Sequence, residues 1–291
     1  MTSGSTRTRP APRVVATDVG FSEGPLYTPS GDTYFTSITH GRLYRLTDGG
    51  AEVAAELGGG ANGATLAADG SIYVAQNGAR WSTTGPRWGK DSLGGVQVVR
   101  PDGSFGWVHQ DPIAPNDLCF GPDGMLYVTD PTRAPFGADG RLWRIDTATE
   151  EAELLTSTSY FPNGIGFGLD DRLYVASTYD SRIVAYRVED GKLVDEQTAV
   201  QMDVGHPDGF TFDAEGNLIV CAIDLGEAPG RIQTWSVTGE KLDEYVPGGN
   251  PKYTNIVLDG AGKMTICDSE GGAVLVVDDW GSAGLPLHPH R

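Results

Sequence analysis

The sequence predicts an all-β fold, a six-bladed β-propeller with four-stranded blades, and three observations carry the prediction. A fifteen-position pattern, clearest in Asn116-Asp117-Leu118-Cys119-Phe120-Gly121-Pro122-Asp123-Gly124-Met125-Leu126-Tyr127-Val128-Thr129-Asp130, occurs six times without a gap. Each copy has a polar anchor (Glu23, Asn62, Asn116, Asn163, Asp208, Thr254) and, four positions on, an apolar residue (Tyr27, Leu66, Phe120, Phe167, Phe212, Leu258). Eight positions after the anchor stands a turn residue (Gly31, Gly70, Gly124, Asp171, Gly216, Gly262), and an apolar run follows it. Successive anchors lie 39, 54, 47, 45 and 46 residues apart, and repeats of about 40–50 residues built of short strands mark a β-propeller. Composition agrees: 41 Gly and 18 Pro in 291 residues suit short strands and tight turns, and no stretch reads as a long amphipathic helix.

The elements follow in order. Residues 1–12, rich in Ser, Thr, Arg and Pro, are expected to form a disordered tail. Arg13-Val14-Val15-Ala16-Thr17 has strand character, and pairing it with the last blade closes the ring and removes an exposed sheet edge. Blade 1 is expected to use residues 24–28, 33–37 and 41–46, the last alternating apolar and polar as a half-buried strand does. Equivalent third strands fall at 95–99, 141–145, 182–186, 231–235 and 273–277. The propeller therefore spans 13–280 as a single domain, with a C-terminal tail over 281–291. Two connections between second and third strands are long, residues 76–94 and 131–139. The second strand returns the chain to the anchor's end, so both insertions are expected on the anchor face. Long loops are usually functional, which makes Arg80, Trp81, Arg87 and Trp88 in the first, and Arg133 in the second, candidate substrate-binding residues.

With 21 basic against 39 acidic residues, the net charge of -18 repels polyanions and argues against nucleic acid or an anionic membrane as partner. Cys119, Cys221 and Cys267 fall inside predicted strands, where buried free thiols are commoner than disulfides. The N-terminus has basic residues but no apolar signal region, and no apolar run is long enough to span a bilayer. A soluble, cytoplasmic protein is expected, as a monomer or weak homo-oligomer. Gly20-Phe21-Ser22-Glu23-Gly24 fits the nucleophile-elbow pattern of serine hydrolases, but that motif needs a strand, a sharp turn and a helix, and Pro25 and Pro29 stand where the helix would run. The histidines His40, His109, His206, His288 and His290 lack zinc-type spacing. His206 is kept as a candidate substrate contact because it adjoins Asp208. The glycines occur at turn spacing, not as a phosphate-binding loop.

Each anchor stands where the chain begins an innermost strand, so pseudosymmetry gathers the six side chains around one axis at one end of the tunnel. The set contains only oxygen-bearing donors: two carboxylates, three carboxamides and a hydroxyl. Two negative charges match one divalent cation, and hard cations prefer such oxygens with a few waters. Taken singly, Asn, Asp and Glu before Gly also serve as turn formers. Calcium is the first choice of metal, with magnesium, manganese, zinc or ferrous iron as alternatives.

Phe21-Ser22-Glu23-Gly24-Pro25, Pro115-Asn116-Asp117, Leu126-Tyr127-Val128-Thr129-Asp130-Pro131, Phe161-Pro162-Asn163-Gly164 and His206-Pro207-Asp208-Gly209 together resemble the regucalcin/gluconolactonase family of six-bladed propeller lactonases. The resemblance implies one divalent metal in the central tunnel, held by Glu23, Asn163 and Asp208, with Asn116 as a further ligand or substrate contact. Related phosphotriesterase-type propellers use the same Glu, Asn, Asn and Asp set. In regucalcin itself an Arg two residues before the Asn at 116 holds the sugar lactone; Ala114 stands there instead.

The expected reaction is hydrolysis of a small lactone, such as a sugar aldonolactone, by water attack on a metal-polarised carbonyl. Asp208 is the first candidate for general base and Asp117 the second. A phosphotriester substrate at the same site and a non-catalytic interaction scaffold are the alternatives.

Overall fold

The computed structural model describes residues 9–78, 93–133 and 136–291. Six antiparallel four-stranded sheets succeed one another around an axis, as the repeat predicts. Blade 1 comprises Ser22–Tyr27, Thr33–Ser37, Arg42–Thr47 and Gly50–Glu56; blade 2 comprises Ala61–Leu66, Ile72–Gln76, Gly95–Val99 and Phe105–His109. Blade 3 is formed by Leu118–Phe120, Leu126–Arg133, Phe136–Asp146 and Glu151–Thr158, and blade 4 by Pro162–Phe167, Leu173–Ser177, Arg182–Glu189 and Lys192–Gln201. Blade 5 contains His206–Phe212, Leu218–Ile223, Arg231–Trp235 and Lys241–Tyr245, and blade 6 contains Tyr253–Leu258, Met264–Asp268 and Ala273–Val277.

The fourth strand of blade 6 is Arg13–Ala16, paired with Ala273–Val277 in the register Arg13↔Val276 and Val14↔Leu275. The two ends of the chain thus share one sheet, and the N-terminal strand supplies the outer strand that brings blade 6 to four. Each inner strand is buried along most of its length because it faces the tunnel on one side and its neighbours on the other, which is why these segments read as apolar runs. Between blades the core is continuous: Phe210, Phe212, Leu218 and Trp235 of blade 5 pack with Tyr174 and Ile183 of blade 4.

Three features differ from the expectation or add to it. Residues 131–139 were expected as a loop, yet the second and third strands of blade 3 continue pairing through Pro131↔Gly140 to Arg133↔Phe136. The strands extend as a hairpin on the anchor side of Thr129. Within the N-terminal stretch expected to be disordered, Arg9 is held: its guanidinium donates to the Trp280 carbonyl at 3.0 Å, pairs with Asp243 and stacks 3.8 Å over the Trp280 ring. The C-terminal residues 281–291 pack across the face opposite the anchors. Gly284 bridges to Asp213, Leu285 N–H donates to the Phe212 carbonyl at 3.0 Å, and the Arg291 guanidinium donates to the Gly168 and Leu169 carbonyls at 2.7 Å. Leu287 reaches the lower tunnel wall.

Removal of residues 1–17 should unpair the outer edge of blade 6. At about 1 kcal/mol per ladder hydrogen bond, a loss of roughly 3 kcal/mol is expected in urea denaturation, with concentration-dependent self-association at the bared edge. An unchanged midpoint would contradict the closure of the ring by this strand.

Candidate metal centre

The inner strands carry a shared irregularity at their anchors. The ladder slips by one residue between Glu23 and Leu26, Ala61 and Ala64, Pro162 and Ile165, Pro207 and Phe210, and Tyr253 and Asn255. A β-bulge of this kind kinks a strand and re-aims its side chains. In blade 1 it also accommodates Pro25, which has no N–H to give to a ladder. In blade 3 the equivalent turn is made before the strand: Asn116 N–H donates to the Thr129 carbonyl at 2.7 Å and Thr129 N–H to the Asp117 carbonyl at 2.9 Å.

Hydroxyls from one blade then clamp the anchor backbone of the next. Thr36 Oγ1 donates to the Asn62 carbonyl, Thr129 Oγ1 to the Asn163 carbonyl at 2.7 Å, Thr178 Oγ1 to the Pro207 carbonyl at 2.8 Å, and Ser269 Oγ to the Ser22 carbonyl at 2.6 Å. Gly63 N–H reaches the Asn116 carbonyl at 2.8 Å. Asp130, wholly buried, accepts from Ile113 N–H (3.1 Å), Ala114 N–H (2.8 Å), Arg141 Nε (2.9 Å) and Trp143 Nε1 (3.0 Å), which fixes the segment leading into Asn116.

All six anchors, Glu23, Asn62, Asn116, Asn163, Asp208 and Thr254, line one cavity of 80 Å³. Their exposures run from 1% for Thr254 to 8% for Asp208, so both carboxylates are largely withdrawn from solvent. Since about 10–15 Å³ of such volume accommodates one water, the space suits an ion with a few waters. Phe161, Tyr179, Ile223 and Leu225 form an apolar side of the same cavity, with Phe161 and Tyr179 in edge contact at 5.2 Å. Lys252, also on the wall, is paired with Glu270 at 2.7 Å.

Directly beneath, at the position after each anchor, stand Gly24, Gly63, Asp117, Gly164, Gly209 and Asn255. The glycines leave room for the two side chains: a Cβ on Gly63 would lie 2.1 Å from Asp117 Oδ1, and one on Gly209 would lie 2.3 Å from Asn255 Cγ. Asn255 Nδ2 donates to Glu23 Oε2 at 3.0 Å and its side chain also hydrogen-bonds Asp117. Burial, reinforced by the charge of Glu23, pushes the Asp117 carboxyl up to about 7, against the opposing pull of the Leu118 N–H and the Asn255 amide. Burial also raises the thiols of Cys119, Cys221 and Cys267, the last two further by the charge of Glu23, so these cysteines stay protonated and free.

The predicted residues thus divide. Glu23, Asn116, Asn163 and Asp208 converge on the upper cavity, whereas Asp117 lines a second one of 50 Å³ below it. Arg80, Trp81, Arg87 and Trp88 lie outside the described residues. Arg133 falls at the end of the extended hairpin, its backbone paired with Phe136. His206 is turned to blade 4, where Nδ1 contacts Ser181 Oγ and the Thr178 carbonyl at 3.0 Å, and it is not on the cavity wall. Sequence reasoning missed Asn255, Phe161 and Tyr179. Asn255 had a signal, since it breaks the glycine preference at the position after the anchor; the aromatic wall had none beyond adjacency to Pro162-Asn163.

Among the described residues no group of three or more His, Cys, Asp or Glu is assembled for a metal. The donors here are of another kind, two carboxylates with three carboxamides, and this set fits a hard divalent cation. Asn163 Nδ2 donates to Thr178 Oγ1 at 3.1 Å, which leaves its Oδ1 as the outward oxygen, and Asn62 Oδ1 is buried without a hydrogen-bond partner.

The fold and the oxygen-lined axial cavity define a six-bladed propeller with a candidate cation site. Residues 21–267 match the SMP-30/Gluconolactonase/LRE-like region, and the chain belongs to that family. It is 26% identical over 286 residues to a gluconolactonase of Zymomonas mobilis, covering 82% of this chain and 72% of that protein. A solved putative gluconolactonase shares the fold with a TM-score of 0.76 at 19% identity, covering 97% of this chain and 96% of its own. The calcium-binding protein regucalcin of Agrobacterium tumefaciens does so at 0.75 and 17% identity, covering 97% and 98%.

Asn255→Leu removes the amide that ties Glu23 to Asp117 while keeping the branched shape and the number of side-chain heavy atoms. About tenfold weaker calcium binding is expected by titration calorimetry, the scale typical of lost support for a metal ligand. Wild-type affinity would reduce Asn255 to a packing role.

Proposed function

We propose that the chain is a divalent-metal-dependent lactonase, and the observation that carries this reading is the ring of Glu23, Asn116, Asn163 and Asp208 on one small buried cavity. These four side chains would hold one cation, calcium first, whose chemistry when bound is Lewis-acid polarisation of the lactone carbonyl and activation of water. The ion and its waters would fill the space between the anchors, and the substrate would lie above them at the tunnel mouth. There the faces of Phe161 and Tyr179 offer an apolar wall to a small neutral ring. Lys252 is already paired with Glu270, which suits a neutral lactone better than an anionic ester.

Asp208 takes the proton from the attacking water as its oxygen bonds to the carbonyl carbon, and returns it to the ring oxygen when the ester bond breaks, giving a hydroxy acid. The amide of Asn116 is positioned to donate to the oxygen on which negative charge develops. Asp117, in the lower cavity and behind the anchors, is assigned a positioning role through Asn255, which supports Asp208 as the base. Membership of the family and the gluconolactonase relative favour a lactone over a phosphotriester.

Asp208→Asn is expected to reduce kcat on a lactone substrate by more than about 100-fold, the lower end of general-base contributions, in a pH-stat assay. Near-normal turnover would remove Asp208 from the chemistry. Exhaustive chelation should abolish activity and calcium should restore it; full activity of metal-free protein would defeat the Lewis-acid reading. Faster hydrolysis of an organophosphate than of aldonolactones or simple γ-lactones would transfer the site to the phosphotriesterase class.

A further inference from the structure

We infer that Asn62 is a fifth side-chain oxygen of the cation site, an inference that rests on the metal site proposed above. Blade 2 places Asn62 in the ring between Glu23 of blade 1 and Asn116 of blade 3, on the wall of the same cavity. It is 2% exposed, and its Oδ1 has no hydrogen-bond partner among the described residues.

Three other members of the ring have partners within the protein. The Thr254 hydroxyl is shared with Ser269, the Asn163 amide donates to Thr178, and Glu23 accepts from Asn255. A buried amide oxygen without a donor is costly to leave unsatisfied, so the group that satisfies Asn62 comes from beyond the described residues.

The backbone leaves Asn62 little freedom to turn away. Its carbonyl is held by Thr36 Oγ1, the following residue is tied by Gly63 N–H to the Asn116 carbonyl, and Gly24 packs so closely that a Cβ there would lie 2.6 Å from the Asn62 carbonyl oxygen. Two ligand classes bring the right partner to an amide oxygen, a cation with its waters or a substrate hydroxyl. Depth decides between them. Asn62 lies at the level of Glu23 and Asp208, the two carboxylates whose charge calls for a cation, on the wall of the same 80 Å³ cavity. A fifth protein oxygen also favours calcium, which takes 6–8 oxygen ligands, over magnesium, which keeps its waters in a tight octahedron.

The test is calorimetric titration of metal-free protein with calcium and with magnesium. Asn62→Leu, which has the same branching and heavy-atom count but lacks the oxygen, should bind calcium about tenfold more weakly and show a smaller preference for calcium over magnesium. Asn62→Asp, which keeps an oxygen and adds charge, should bind calcium at least as tightly as the wild type. Asn62→Ala, which also lacks the oxygen, gives the same comparison should the Leu variant not fold, with the unfolding midpoint of the metal-free form as control. Unchanged calcium affinity in the Leu variant overturns this inference alone. The same result with a raised KM for lactone also overturns it and assigns Asn62 to the substrate. A wild-type chain that takes up no divalent cation overturns both the inference and the metal site beneath it.

Discussion

Two carboxylates withdrawn from water into one small space set the terms for everything around them. Glu23 and Asp208 are 4% and 8% exposed and face the same cavity. Desolvating an ion costs several kcal/mol even after relaxation, and a like charge close by adds to that cost. The protein answers with amides: Asn255 donates to Glu23 from below, and carboxamides fill three of the remaining anchor positions. Amide dipoles offset part of the repulsion, and the proposed divalent cation would offset the rest. The same arithmetic accounts for the absence of thiol or imidazole groups from the cavity wall, since hard oxygen donors and a hard ion belong together.

Holding such groups at one point requires a fold that brings distant parts of a chain to an axis, and a propeller does so by repetition. Five blades contribute a bulge and blade 3 an equivalent turn, which aims a side chain from the ladder toward the tunnel. Hydroxyls from neighbouring blades lock those bulges, so the position of any one anchor depends on the blade beside it. Closure by Arg13–Ala16 matters to the site for this reason: Ser269 of blade 6 clamps Ser22 of blade 1, directly before Glu23. At the far end the C-terminal residues cover the tunnel, with Leu287 beneath Asp117 and Asn255.

The anchors, the blade count and the closing strand were legible because repetition displays them six times over, and a pattern tied to a turn residue at fixed distance has little freedom to shift. Asn255 was not found because its role comes from a gap in space rather than a motif. Its amide reaches Glu23 in the space that Gly209, lacking a Cβ, leaves open beside it. Asp117 was read as a reacting group from its adjacency to Asn116, but successive residues of an extended chain point to different levels, and it sits one layer down. The stretch 131–139 carries Pro and Gly, which argued for a loop, while pairing beyond the sheet, as at Pro131↔Gly140 and Arg133↔Phe136, tolerates both. The covering role of residues 281–291 had no periodic signal to reveal it.

The account depends on one ion sitting where the blades meet. Anomalous diffraction from crystals grown with manganese tests this directly, because manganese accepts the same oxygen donors and marks its own position. A single strong peak on the axis, within coordination distance of Glu23, Asn163 and Asp208, is the predicted result. An empty axis at saturating manganese, with Glu23 and Asp208 satisfied by protein groups alone, would contradict it.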